Sequence, residues 1–582
     1  MKYPILNELP TSREIVEEFR GYNHNLRIGS GEFYDMTNLS SDNYPVLSPR
    51  TQRGVYATPR NPQGMVAKDA LCYVDGGYFV INEYRINMGL SIDDKPKTLI
   101  SMGAYVIIMP DKKYINTADL SDYGPIEASV EVGNVEFSLC KVDGVAYENV
   151  RTQATAPSTD EMEKDPTIMW LDTSTTPNVL KVYSTSTSAW SAVATTYIKI
   201  SATGIGKPFS ENDGVTIEGV ESEALQDLNA SMVVWARGDN YIVVTGILDK
   251  VTEQTNPIKV TRKMPNMDFI IESENRLWGC RYGTALNGEV VNEIYACKLG
   301  DFKNWNCFMG ISTDSYAATV GTDGQFTGAI THLGYPLFFK ENYMHKVYGN
   351  YPANYQIQTT ACRGVQKDCE RSLAIVNEVL YYKARSGVCS YDGSLPVEVS
   401  SALGEVTYHN AVAGSLGNKY YISMADANGE YHLFVYDTLK GMWHREDDTE
   451  AMAFCNCRGD LYYIDHADDN IKTVRGTGLT EDAPIKWQAV TGIIGTDSPD
   501  KKYISRMDVR MSLAVGTRVA FYAEYDSSGE WEHLFTMDGV RLRTFAVPIR
   551  PQRCDHLRLK IVGNGEAKIY SICKTTEQGS DV

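Results

Sequence analysis

One phrase of sequence recurs along most of this chain, and it limits the fold more than any other feature. An apolar strand is followed by a tight turn, an aromatic strand, a second turn and another strand. FIIESENRLWGCRYG (269–283) turns at Glu274-Asn275, and ITHLGYPLFFKENYMHKVYG turns at Gly334 and again at Glu341-Asn342. AIVNEVLYYKARSGVCSYDG, AVAGSLGNKYYISMADANGEYHLFVYD and AMAFCNCRGDLYYIDHADDN repeat the pattern, as do LCYVDGGYFVINEYRI and TLISMGAYVIIMPDKKYINTAD nearer the start. Two hairpins in series make a four-stranded sheet, and units returning every roughly 30 to 50 residues are the signature of a propeller. Radial packing buries both faces of such small sheets and leaves only short edges, which a pair of sandwiches written with similar strands would not. The expected fold is therefore all-β: a β-propeller of roughly six to eight blades, with about seven units countable. Closing the ring needs early strands, within about residues 45 to 86, beside the last blade.

The repeat is interrupted. Between residues 121 and 265 it gives way to a polar stretch, ATAPSTDEMEKDP, and then to short strands carrying Trp170, Trp190 and Trp235. This region is expected to be an insertion of small β modules, barrel or sandwich in type. Trp170 and Trp190 are about twenty residues apart across Ser/Thr turns, where two indoles can cover each other; an aromatic sugar platform is the functional alternative. From 481 to 582 long alternating strands predict a jelly-roll-like β-sandwich. The expected order is an N-terminal arm (1–54), a first propeller part (55–120), the insertion (121–265), the rest of the propeller (266–480) and the sandwich (481–582). One amphipathic helix is expected at residues 8 to 20, with Thr11 or Ser12 as N-cap ahead of Ile15, Val16 and Phe19.

At 582 residues with 43% hydrophobic content, the chain is long enough for several cores. Its formal charge of −19 argues against a nucleic-acid groove as the main surface, though an acidic wall beside passing DNA fits it. No stretch approaches the roughly 18 apolar residues of a membrane span, and the start lacks the features of a signal peptide. The 12 cysteines are scattered through apolar strands, and neither Cys455-x-Cys457 nor Cys362-x6-Cys369 has zinc-site spacing. No nucleotide-binding, nucleophile-elbow or metalloprotease motif is present, and the 9 histidines are spread out. The expectation is no catalytic residue, no cofactor and no metal. Arg237-Gly238-Asp239, Arg458-Gly459-Asp460 and the DSSGEW run (526–531) read as turns.

The stretch 19–54, FRGYNHNLRIGSGEFYDMTNLSSDNYPVLSPRTQRG, is rich in aromatics and turn formers and is expected to be ordered and extended along other structure. Together with ENRLWGCRYG and NEIYACKLGDFKNW, it resembles the β-propeller tail proteins of tailed bacteriophages, of the nozzle, hub or tail tubular type. The residues carrying that likeness are Asn38, Leu39, Pro45, Pro49 and Arg50. The resemblance implies a structural component of the virion tail, assembled in the host bacterial cytoplasm and forming part of the DNA-ejection conduit. It implies a homo-oligomer, a hexameric ring, meeting portal and adaptor proteins, other tail proteins and tail fibres, with genomic DNA passing through the lumen without sequence-specific contacts. Phe19, Tyr22, Phe33, Tyr34, Tyr44 and Arg50 are then candidates for an arm that braces the propeller and reaches a neighbouring subunit. Two alternatives are a host-surface carbohydrate or receptor binder, using Trp170, Trp190 and Trp235, and a polysaccharide-degrading propeller enzyme.

Overall fold

The computed structural model describes residues 11–93, 96–285, 288–476, 480–481, 484–495, 501–539, 541–549 and 552–578. The architecture is all-β, with a seven-bladed propeller at its centre. The blades span 62–87, 98–125, 269–319, 328–361, 374–398, 409–445 and 451–473. Turn chemistry sets the hairpins where the sequence places them. Glu274 and Asn275 both adopt positive φ, +50° and +59°, the paired left-handed conformation that matches the twist of a two-residue hairpin. The first strand of each blade faces the axis and packs on its neighbours. Ala451–Cys457 of the seventh blade meets Pro62–Ala67 of the first, which closes the ring.

The seventh blade has three strands of its own. Its fourth, Gly54–Ala57, comes from the N-terminal side and pairs antiparallel with Ile471–Thr473. Residues 45 to 86 thus do sit beside the last blade, and four residues of them complete it.

The insertion runs between the second and third blades. Two sheets enclose a core of its own, containing Phe137, Ile200, Val215, Ile217, Ile242 and Val260. Its strands extend from Ala128 to Arg262, slightly inside the expected limits. A second module is nested within it. Val150–Gln153 runs parallel to Met169–Asp172, and Val179–Ser184 and Ala189–Ala192 complete that sheet. One short helix, Thr159–Lys164, leads into it, opened by a capping box between Ser158 and Glu161.

The C-terminal region is a two-sheet sandwich, but it is not built from residues 481 onward alone. Thr11–Val16 pairs antiparallel with Ala567–Gln578, and Glu32–Thr37 pairs with Lys486–Thr491. One correction follows. The stretch expected as a helix is a strand over Thr11–Val16: Val16 contacts the core while Ile15, at 54% exposure, faces out, so period 2 governs rather than 3.6. The segment before residue 55 lends strands to the sandwich and the propeller. Between these, Gly21–Tyr22 lies beside Met442–Arg445 of the sixth blade and parallel to Glu32–Thr37. The sixth blade and one sandwich sheet thereby merge into a single ten-stranded sheet.

Candidate functional site

The N-terminal strap forms the joint between propeller and sandwich, and each strap residue singled out from sequence can be placed. Phe19, Tyr22 and Phe33 are buried in a core shared by the sandwich and blades four to six. The rings of Phe19 and Phe33 stack at 6.0 Å, and Tyr22 lies 5.5 Å from Phe434 of the sixth blade. Full burial of such side chains contributes roughly 1.5–3 kcal/mol each. Tyr34 is half-buried and stacks on His24 at 4.3 Å. Tyr44 is half-buried, with Lys440 Nζ 5.6 Å from its ring centre.

Arg50 belongs to a polar knot. Its Nε donates to Asn38 Oδ1 at 2.8 Å, while the Asn38 N–H donates to the Glu446 carbonyl. Asn38 has φ +56°, a left-handed conformation that asparagine tolerates better than most residues. Beside it Arg53 donates from Nη2 to Glu446 at 2.6 Å and lies 2.8 Å from Asp447 through Nη1. Burial pushes the Asp447 carboxyl up, but the guanidinium groups of Arg53 and Arg50 outweigh it and hold the group below the usual carboxylate range. The strap also approaches the sixth blade too closely for a side chain. A Cβ on Gly21, at φ +82°, would meet the Trp443 carbonyl oxygen at 2.3 Å. His444, at the same contact, is buried, which drives its pKa down to about 3 and keeps the ring neutral.

Phe19, Tyr22, Phe33 and Arg50 are engaged within their own chain.

The three tryptophans are not brought together as one platform. Trp170 and Trp190 meet edge to face at 5.5 Å in the nested module. Trp170 is buried, its Nε1 donates to the Gln153 carbonyl at 2.8 Å, and Lys181 Nζ lies 4.5 Å from its ring centre. Trp190 stays half-buried, with Tyr183 at 5.3 Å. Trp235 belongs to the other part of the insertion, where it packs on Tyr197.

Sequence reading missed a cavity of about 470 Å³ on the propeller, lined by Tyr431, Asp447, Asp448, Glu450 and Asp465. The signal was the acidic run EDDTE at 446–450. Three of the cavity's four carboxylates are already ion-paired: Asp447 with Arg53, Asp448 with Arg445, and Asp465 with Lys472. Nearby, Asp426, Glu430 and His432 hold metal-ligand atoms within 4.8 Å of one another. Asp426 Oδ1 already accepts the backbone N–H groups of Asn428 and Glu430.

No protein-family model matches this sequence, and no curated protein is similar to it. Solved structures are similar in fold. An exo-β-1,3-galactanase from Phanerochaete chrysosporium with galactose matches at 9% identity and a TM-score of 0.20, over 52% of this chain and 94% of its own. An engineered GH43 glycoside hydrolase with endo-xylanase and exo-arabinofuranosidase activity matches at 9% identity and 0.20, over 53% and 96%. A Trypanosoma rangeli sialidase in complex with sialic acid matches at 9% identity and 0.20, over 98% and 97%. These structural neighbours are named as glycoside hydrolases and a sialidase, so the expectation that the chain is not an enzyme draws no support from them. At such identities the likeness concerns the fold alone and brings neither a substrate nor a catalytic residue to this chain.

Proposed function

We propose that this chain is a structural subunit of a bacteriophage tail, a nozzle or hub ring through which DNA is ejected. The observation that carries the reading is the strap. It joins a propeller and a sandwich into one continuous sheet and secures the joint with buried rings and a paired charge knot, as suits a part that must keep its shape under strain. Asn38, Leu39 and Arg50, which carry the likeness to tail proteins, lie in that joint. The net charge of −19 suits a conduit that DNA must pass without adhering.

A surface for neighbouring subunits is at hand in the fourth blade. Its outer strand, Gln356–Ala361, runs six residues with no charge, no proline and no bulge, and among the described residues no further strand covers it. Uncovered edges of this kind accept strands from other chains. Mass photometry and negative-stain imaging of purified protein test the proposal. Rings of several copies are expected, and Gln358→Lys, which puts a charge on the edge, is expected to reduce them. A strict monomer that never joins a particle overturns the reading.

A second reading, contact with host-surface carbohydrate, has one observation in its favour: the half-buried ring of Trp190 beside Tyr183 in the nested module. Loss of glycan binding in Trp190→Ala is its test.

A further inference from the structure

We infer that the outward face of the sandwich sheet, where Arg558 and Lys560 stand among the rings of Tyr34, Tyr522 and Trp531, is a binding site for a carboxylate-bearing saccharide. The inference does not rest on the tail reading, and it concerns a part of the fold distant in sequence from the three tryptophans considered above.

Alternation builds this face. In Leu557–Asn564, Leu557, Leu559 and Ile561 point into the sandwich core, so Arg558 and Lys560 share the opposite side, roughly 7 Å apart along the strand. On the neighbouring strand, Val519, Phe521 and Ala523 are in the core while Tyr522 and Glu524 fall opposite Lys560 and Arg558 in register. The Arg558 guanidinium lies 4.9 Å from the ring centre of Tyr34, and Lys560 Nζ lies 4.2 Å from that of Trp531 and 5.4 Å from that of Tyr522. All five side chains are half-buried.

Two facts separate this arrangement from ordinary surface packing. In a chain with an excess of acids, neither Arg558 nor Lys560 makes an ion pair or a hydrogen bond among the described residues, and Arg558 Nε is buried without a partner. A buried guanidinium donor left unsatisfied is costly unless something supplies an acceptor. Burial also lowers the pKa of Lys560, with Glu524 opposing, which marks its ammonium as a partly desolvated charge.

The occupant follows from the chemistry. Ring faces stack on the C–H faces of sugars and two unpaired cations attract carboxylates, while the buried Glu524, whose Oε1 already accepts the Gly529 N–H, keeps its other oxygen for a sugar hydroxyl. Single-stranded nucleic acid also uses rings and cations. It carries a charge at every phosphate, however, and offers Glu524 few hydroxyls, so the chain's net charge and this carboxylate favour the saccharide.

The test is thermophoresis of the full chain with three probes: oligogalacturonate, a neutral oligogalactan and an oligo-dT. Oligogalacturonate is expected to bind at least roughly tenfold tighter than the neutral oligomer. Arg558→Gln and Lys560→Gln are each expected to raise its Kd by roughly tenfold, the loss of one charge-assisted contact. Arg85→Gln, which removes a cation stacked on the Tyr78 ring of the first blade, is expected to leave binding unchanged. Absence of oligogalacturonate binding, full binding by a folded double variant, or equal or tighter binding of oligo-dT overturns the inference. So does loss of binding in Trp190→Ala, which would move the site to the nested module. If Arg558→Gln fails to fold, Lys560→Gln at its half-buried position carries the same decision.

Discussion

The strap and the nested module are both aromatic segments that the sequence sets apart, yet they use their rings in opposite ways. Strap rings enter a core shared by two domains, so the segment has no fold apart from them. The two indoles of the nested module cover each other, and its sheet is complete within 150–192. An aromatic-rich stretch therefore holds a molecule together only when its rings are shared between bodies. When they are paired locally, it makes an appendage.

The comparison breaks most directly at Phe33. Phe33→Ala is expected to cost about 3–5 kcal/mol and to lower the stability of propeller and sandwich together, read as one shifted transition in urea. Separate transitions with an unchanged propeller would show that the strap does not couple them. Next in size is Arg53→Met, which leaves the buried Glu446 and the half-buried Asp447 without their closest cation and is expected to cost about 3 kcal/mol. The depressed Asp447 pKa contributes stability above the ordinary carboxylate value of 3.8 that is lost as pH falls below it. In the Met variant that acid-dependent part should shrink, measured as the slope of stability against pH.

A smaller difference should appear in mild acid. His444 is held neutral in the fold, so the stability it contributes is present above pH 6.5 and is lost as pH falls from there toward about 3. In the nested module, Lys181 and Ser174 hold Asp172 down to about 2, so its contribution persists until pH drops below 3.8. Hydrogen exchange at pH 5 is expected to show the strap loosening before the module does, and His444→Gln to remove the difference. The smallest global effect belongs to Trp170→Ala. It should open the module's own sheet while moving the main transition by roughly 0.5 kcal/mol or less, because the module shares no core with the ring.

Much of the propeller was legible because its hairpins are written locally. Pairs such as Glu274-Asn275 adopt the backbone that their position in the phrase demands. The insertion and the meeting of Trp170 with Trp190 could be read for the same reason. What could not be read depends on partners hundreds of residues away. Gly54–Ala57 has too little pattern to announce itself as the last strand of a ring. Thr11–Val16 carries Ile15 and Val16 side by side, a spacing that suits a helix until pairing with Ala567–Gln578 assigns them to opposite faces. Arg558 and Lys560 were visible as alternating cations in LRLKIV, but the rings beside them come from other strands and from the strap. The acidic run at 446–450 was plain, whereas its pairing with Arg53 needed the fold.

The completion of the seventh blade by residues 54–57 has a consequence in time. During synthesis the partner of this short strand, Ile471–Thr473, follows it about 400 residues later. At roughly 5–20 residues per second, that interval is about 20–80 s. Six blades can form behind the ribosome, but the circle is sealed only once Ile471–Thr473 has emerged. Until then the nascent ring carries an open gap, and a chain stalled before residue 471 is a crescent whose terminal edges are still free to pair with the wrong neighbour.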